Sequence, residues 1–119
     1  MNTSRFYAKI ELDNIGKNVS GVRNKISPET MIMAVIKDDA YGHGAVQIAE
    51  KITDLVDFFA VATIEEALKL RAHHITLPIL VLGYVHHSMN EAAVKNDVRL
   101  TVYDYDMAKK ISDAAKIVR

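Results

Sequence analysis

The sequence predicts an α/β protein built around a parallel sheet. Short apolar runs alternate with segments of helical periodicity along the whole chain, and half of the 119 residues are hydrophobic. Strands that alternate with amphipathic helices are joined by right-handed crossovers, which make neighbouring strands parallel. The residues alone leave two architectures open, a doubly wound open sheet and a barrel. Since a complete eight-stranded barrel needs about 250 residues, the four predicted strand–helix units are half of one.

The first half of the chain contains two predicted strands and two predicted helices. Residues 7–12 alternate between apolar and polar side chains, as in a short two-sided strand. From Leu12 onward, apolar residues recur at steps of three and four, which predicts a helix that ends before Pro28. Residues 31–36 are continuously apolar and predict a strand covered on both faces, and residues 45–53 predict the next helix.

The second half repeats this pattern. Thr63 and Glu66 stand at the spacing of a capping box, so we expect a helix to begin there. The other predicted elements are strands at 58–62, 79–82 and 98–102 and helices at 88–95 and 104–118.

Composition excludes several classes of function. The 15 basic and 15 acidic side chains cancel, which disfavours binding to nucleic acid or to an anionic membrane surface. The chain has no cysteine, so disulfides, thiolate metal sites and thiol nucleophiles are excluded. No apolar run approaches the roughly 18 residues of a membrane span, and the residues that follow Met1 contain no apolar core of a signal peptide. We therefore expect a soluble cytoplasmic protein with no membrane partner.

Lys37 is the first candidate for chemistry. It directly follows the most apolar predicted strand, and ligand sites of parallel α/β proteins lie at the carboxyl ends of the strands. A partly desolvated lysine there favours the free amine, which can act as a base or as a Schiff-base nucleophile. The alternative is a strand that simply ends in a solvated charge.

The segment after Lys37 indicates a phosphate. Gly42 and Gly44 lead into a predicted helix, and such a turn can present backbone N–H groups to an anion. A pair of glycines at this spacing is, however, more often only a turn. Tyr41 either donates its hydroxyl to a phosphate or packs as an aromatic side chain. An amine, a phenol and a glycine turn together fit pyridoxal 5'-phosphate, a phosphate-bearing aldehyde. No metal site is predicted, because the remaining histidines occur mainly as adjacent pairs without ligand spacing.

Three segments resemble a known family. Residues 34–44 closely resemble the pyridoxal-phosphate attachment motif of bacterial alanine racemases, and residues 57–71 and 78–83 continue the likeness. The resemblance spans roughly residues 7 to 105, which is nearly the whole chain.

The resemblance implies a (β/α)8 barrel of the TIM type, with about four βα units, its first half, in this chain. Lys37 would bind the cofactor aldehyde covalently and later act as the base on one face of the substrate α-carbon. Tyr41 would hydrogen-bond the cofactor phosphate, and Val35 and Leu82 would form the wall around the pyridine ring. The implied enzyme is a homodimer that interconverts L- and D-alanine and thereby supplies D-alanine for cell-wall peptidoglycan.

The sequence departs from the family in three ways. Asp38 stands where a small residue is usual, and His74 stands where glycine usually ends a helix. The larger departure is length, since the other phosphate ligands, an arginine facing the pyridine nitrogen and a tyrosine base from the partner subunit lie downstream in the family. We therefore expect residues 1–119 to be the N-terminal part of a longer enzyme, without the second half of the barrel and the C-terminal β domain, and inactive alone. The strand at 7–12 would then belong to that second domain, and residues 7–12 would lack their sheet in this chain.

Two other functions stay open. A racemase of the same fold could act on another small amino acid such as serine, because residues outside this chain would choose the substrate. A non-catalytic half-barrel could instead bind a phosphate ligand, although such a module has no need for the amine of Lys37. In either case we expect the isolated chain to self-associate through its uncovered strands.

Overall fold

The computed structural model describes residues 3–118 and contains one four-stranded parallel sheet. The strands lie in the order in which they occur along the chain, with no reversal of direction. A doubly wound sheet changes direction at a switch point, whereas a barrel adds each strand beside the previous one. The sequential order therefore favours the barrel. The strands are β1 Met33–Val35, β2 Phe58–Val61, β3 Ile79–Val81 and β4 Val98–Leu100.

The helices confirm the predicted alternation. Each strand is followed by helical structure, and one further helix precedes β1. No helix among residues 3–118 has the length and apolar character needed to cross a bilayer. The helices are α1 Leu12–Lys25, α2 Lys37–Tyr41, α3 Ala45–Ile52, α4 Ile64–Ala72, α5 Asn90–Lys95, which a 3-10 turn at His87–Met89 precedes, and α6 Tyr105–Val118.

The predicted strand at residues 7–12 is wrong. Leu12 is the first residue of α1, and residues 7–11 form neither helix nor strand. Alternating side chains give a segment the pattern of a strand, but a strand also needs a hydrogen-bonded neighbour. None of the residues that the structure describes pairs with this segment.

The helix ends follow the predicted local signals. Thr63 Oγ1 accepts a hydrogen bond from the Glu66 amide at 3.2 Å, and the Glu66 carboxylate accepts one from the Thr63 amide, which completes the capping box of α4. His74 follows the end of this helix with a φ of 63°. It therefore occupies the left-handed position that usually favours glycine, at a cost of about 1 kcal/mol.

The helices pack on one face of the sheet. Side chains of alternate strand positions point to this face and are shielded completely or almost completely from solvent, together with the apolar sides of α3 and α4. Burial of this apolar surface is the main contribution to the stability of the domain. The strand residues in this core include Phe59, Val61, Ile79 and Val81.

The concave face of the sheet, on the side opposite to the helices, is partly exposed to solvent. Met33 and Val35 are each 41% exposed, so the prediction that the strand at residues 31–36 is covered on both faces is wrong for the residues that the structure describes. The Arg99 guanidinium lies over the Phe58 ring at 4.9 Å from its centroid, which is the range of a cation–π contact. Parallel sheets are ordinarily covered on both faces, so this face is the one that would become the interior of a closed barrel.

Asp57 fixes the beginning of β1. Its Oδ2 accepts hydrogen bonds from the Ile32 amide at 2.6 Å and from the Arg23 guanidinium at 2.8 Å. These two hydrogen bonds, the one from Ile32 first, lower the pKa of the Asp57 carboxyl below its ordinary value. Because Arg23 belongs to α1 and Asp57 directly precedes β2, the carboxylate ties the first helix to the first two strands.

Arg71 holds the loops that lead into β3 and β4. Its guanidinium donates to the carbonyl oxygens of Ile75 at 2.6 Å and of Leu77, Asn96 and Asp97 at 2.8 Å each. Burial lowers the pKa of Arg71, while the nearby Asp97 carboxylate opposes this effect. One side chain of α4 thereby sets where two neighbouring strands begin.

Candidate active site at the carboxyl edge of the sheet

Lys37 lies at the carboxyl end of β1, as predicted. The Ile36 amide continues the ladder one residue beyond the strand by donating to the Ala60 carbonyl at 2.9 Å, and the Ile36 side chain is buried in the core. Lys37 is the next residue and is half-buried. Among residues 3–118, no side chain or backbone group forms a hydrogen bond or ion pair with its ammonium group. The backbone at Lys37 is therefore fixed at the edge of the sheet, and its amine has no partner among the described residues.

The last four residues of α2, which follow Lys37, have left-handed backbone angles, so this element is a left-handed turn and not an ordinary α-helix. The φ angles of Asp38, Asp39, Ala40 and Tyr41 are 52°, 54°, 54° and 57°. Each L-residue in this conformation costs roughly 1–2 kcal/mol, because its Cβ crowds the following carbonyl oxygen. A run of four without glycine persists only where surrounding contacts hold it. No feature of this segment in the sequence predicted the run.

Backbone hydrogen bonds close the turn on itself. The Ala40 amide donates to Ile36 O at 3.0 Å, and the Gly44 amide donates to Asp39 O at 2.9 Å. The Asp39 side chain accepts from the Ala45 amide at 2.9 Å and so caps the start of α3. These bonds tie the end of β1 to the beginning of the next helix.

Of the two interpretations of the glycine pair, the structure supports the plain turn and not a backbone anion site. The amides of Gly42, His43 and Gly44 donate to the carbonyls of residues 38, 40 and 39, and the Ala45 amide donates to the Asp39 carboxylate. Amides that are already bonded within the turn cannot cradle a phosphate, and the Asp39 charge at the helix start repels one. The two glycines instead relieve strain, since their φ angles are 85° and 95°.

Glu66 joins the left-handed turn to the end of β2. Its Oε1 accepts from the Asp38 amide at 2.8 Å, while its Oε2 accepts from the Ala62 amide at 2.6 Å and the Thr63 amide at 3.2 Å. The capping box predicted only the bond to Thr63. The bond to Asp38 spans 28 residues of sequence, and no local pattern could have indicated it.

The other candidate residues lie at the same edge of the sheet. Val35 is the last residue of β1, and Leu82 follows β3 directly, with its amide bonded to Val61 O at 2.8 Å. Their side chains are 41% and 38% exposed. Tyr41 ends the left-handed turn with 60% of its surface exposed. An amine, a phenol and two apolar side chains therefore all lie at or next to the carboxyl ends of β1 and β3.

These features define a class of protein: half of a (β/α)8 barrel with a lysine at the carboxyl end of its first strand. Residues 10–118 match the family model described as "Alanine racemase, N-terminal domain". The chain belongs to the alanine racemase family, and the predicted first half of a TIM-type barrel is confirmed.

The relatives agree in sequence and in structure. The chain is 40% identical to alanine racemase 2 of Oceanobacillus iheyensis over 114 residues, which are 95% of this chain and 29% of that protein. It superposes on the alanine racemase of Clostridium difficile 630 with a TM-score of 0.94 at 41% identity, covering 99% of this chain and 31% of that one. For the alanine racemase of Bacillus anthracis with bound L-Ala-P, the TM-score is 0.81 at 35% identity, with coverage of 93% and 30%. The chain thus spans about 30% of the length of these relatives.

Proposed function

We propose that this chain is the N-terminal part of a pyridoxal-phosphate-dependent alanine racemase, an isomerase that interconverts L- and D-alanine. The observation that carries the proposal is Lys37, which is the second residue beyond β1 and whose amine forms no hydrogen bond or ion pair within residues 3–118. Relatives named alanine racemase share about 40% of the sequence and are roughly three times longer, which supports the view that further parts of the enzyme lie outside these residues. Production of D-alanine for peptidoglycan in the cytoplasm follows from the same proposal.

The residues present fit pyridoxal phosphate by their chemistry. Lys37 offers the amine that the cofactor aldehyde requires, and Tyr41 offers an exposed hydroxyl to the phosphate. Val35 and Leu82 offer apolar surface to the pyridine ring. The amides of the glycine turn are occupied, so we assign the remaining phosphate contacts to residues outside this chain. When bound, the cofactor withdraws electrons from the substrate α-carbon and so makes its hydrogen acidic.

The protein's own part in the reaction is to move a proton. The Lys37 amine removes or returns the α-proton on one face of the alanine. The ladder bond of the neighbouring Ile36 fixes the Lys37 backbone at the edge of the sheet. Inversion needs a second base on the opposite face. We assign that base to a tyrosine of a partner subunit, so the active enzyme is a homodimer. Sedimentation of the full-length protein tests the dimer, and self-association of the isolated chain stays a prediction.

A racemisation assay of the full-length protein tests the proposed function. The protein is supplied with pyridoxal phosphate and L-alanine, and formation of D-alanine is followed by chiral chromatography. We expect alanine to be racemised faster than serine at equal concentration. Faster turnover of serine would move the protein to the alternative racemase, and cofactor binding without turnover of either amino acid would favour a binding module.

Tyr41→Phe is expected to weaken cofactor retention. Removal of a hydrogen bond to a charged phosphate costs about 1.5–3 kcal/mol, which is roughly a 10- to 150-fold loss of affinity. Dialysis of the loaded full-length protein, followed by its visible absorbance, measures the loss. Tyr7→Phe is the matched control, since Tyr7 is exposed and lies outside the sheet. Unchanged retention in Tyr41→Phe would make Tyr41 a packing residue.

A further inference from the structure

We propose that Glu66 is a positioning residue for Lys37, because its carboxylate fixes the left-handed turn that sets the direction of the lysine side chain. The inference rests on the proposed function, in which Lys37 is the reacting amine. Three backbone amides converge on this carboxylate: Asp38 at 2.8 Å, Ala62 at 2.6 Å and Thr63 at 3.2 Å. Two of them follow β2, and the third directly follows Lys37.

The carboxylate does more than cap a helix. A capping box requires one side-chain acceptor for the Thr63 amide, and Oε2 provides it while also binding the Ala62 amide. Oε1 is therefore available for a different purpose, and it accepts from the Asp38 amide. Both oxygens are in use, and together they bridge the ends of two neighbouring strands. Such charge-assisted hydrogen bonds are stronger than neutral ones.

The position of the Asp38 bond explains why it matters for Lys37. Asp38 is the first of four consecutive residues in the left-handed conformation, which ordinary residues disfavour. The bond anchors the backbone at the point where the extended strand changes into this turn. Since Lys37 lies between the last ladder bond at Ile36 and this anchor, its backbone is fixed on both sides. Loss of the anchor lets the turn relax and frees the lysine to adopt other directions.

Glu66→Gln separates the two roles of the side chain. A glutamine has one oxygen and one NH2 group, so it cannot accept from all three amides. Its oxygen is best placed at the Oε2 position, where two amides converge, and its NH2 group then faces the Asp38 amide. The helix cap survives and the anchor of the turn is lost. Thr63→Ala is the matched control, because it removes the capping hydroxyl and leaves both carboxylate oxygens in place.

Amide hydrogen exchange of the cofactor-free full-length protein is the first measurement. In Glu66→Gln, we expect exchange of residues 38–44 to accelerate about tenfold, the effect of losing a hydrogen bond to a charged group. In Thr63→Ala, acceleration should be confined to the first turn of α4. Glu66→Asp serves as a second variant, since its shorter carboxylate keeps the charge and cannot span the amides of Asp38 and Ala62 together. It should loosen the same turn.

Racemisation kinetics are the second measurement. A displaced amine impairs proton transfer more than alanine binding, so Glu66→Gln should lower kcat about tenfold and leave KM within about twofold. Equal exchange and equal kinetics in Glu66→Gln and Thr63→Ala would overturn the inference, because Glu66 would then act only on the helix. If the wild-type protein does not racemise alanine, the proposed function fails and so does the catalytic role of Glu66. The exchange data would still show separately whether Glu66 fixes the turn.

Discussion

Replacement of Lys37 by alanine should abolish covalent cofactor attachment and lower alanine racemisation by at least about 10³-fold in the full-length protein. General acid–base catalysis alone contributes about 10²–10⁴-fold, and loss of the amine removes the covalent attachment as well. Within residues 3–118, no lysine other than Lys37 lies within two residues of the carboxyl end of a strand.

The measurement combines absorbance with peptide mapping. The wild-type protein with bound cofactor should absorb visible light, lose that absorbance on borohydride reduction, and carry the reduced group on the peptide that contains Lys37. Lys9→Ala is the control, because Lys9 is an exposed residue whose ammonium pairs with Glu11 at 2.8 Å. A reduced group on Lys9, Lys51 or another lysine would remove Lys37 from the active site.

Replacement of Arg71 by methionine should lower the free energy of unfolding by about 3 kcal/mol or more. Four carbonyl oxygens accept from this guanidinium, and the bonds to Ile75 and Leu77 are partly buried. Water can replace the donor at the two exposed carbonyls. At the partly buried pair, each lost bond to a charged group costs about 1.5–3 kcal/mol.

Urea-induced unfolding of the full-length protein, followed by circular dichroism, measures this loss. Methionine keeps most of the length and the apolar stem of arginine. The difference between the wild-type protein and Arg71→Met therefore reports the loss of the guanidinium hydrogen bonds. Lys69→Met is the control on the same helix, since the Lys69 side chain is exposed and donates no hydrogen bond to residues 3–118. A loss below about 1 kcal/mol for Arg71→Met would show that water satisfies all four carbonyls.

Much of the fold could be predicted because its signals are local. Alternate residues of the apolar run at 31–36 (Ile32, Ala34 and Ile36) pack against the core, as do the apolar positions Leu12, Ile15 and Val19 of α1, and their spacing in the sequence indicates this packing. The capping box at Thr63 and the left-handed His74 likewise depend on neighbours in sequence. The strand prediction for residues 7–12 was wrong because a strand forms only beside a hydrogen-bonded neighbour. Periodicity within one segment does not show whether such a neighbour exists.

The left-handed turn after Lys37 could not be predicted for a similar reason. Asp38, Asp39 and Ala40 have no intrinsic preference that would outweigh the cost of a positive φ at each. The Glu66 carboxylate that anchors the turn lies 28 residues further along the chain. Lys37 lies at the carboxyl end of a strand, as its position after an apolar run predicted. The hydrogen bonds of the glycine-turn amides, in contrast, depend on backbone contacts that form only in the folded chain.

The exposed concave face has a consequence for how the protein is made. On the ribosome, a nascent chain emerges from its N-terminus, so these four units can bury Phe59, Val61 and their neighbours before any later strand exists. Helix packing on the outer face needs nothing from downstream. In the longer enzyme that we propose, the concave face, with Met33 and Val35 exposed, stays uncovered and prone to self-association until the later strands are made. A pause in translation just after α6 would therefore leave an ordered but aggregation-prone intermediate, which is the kind of species that chaperones bind.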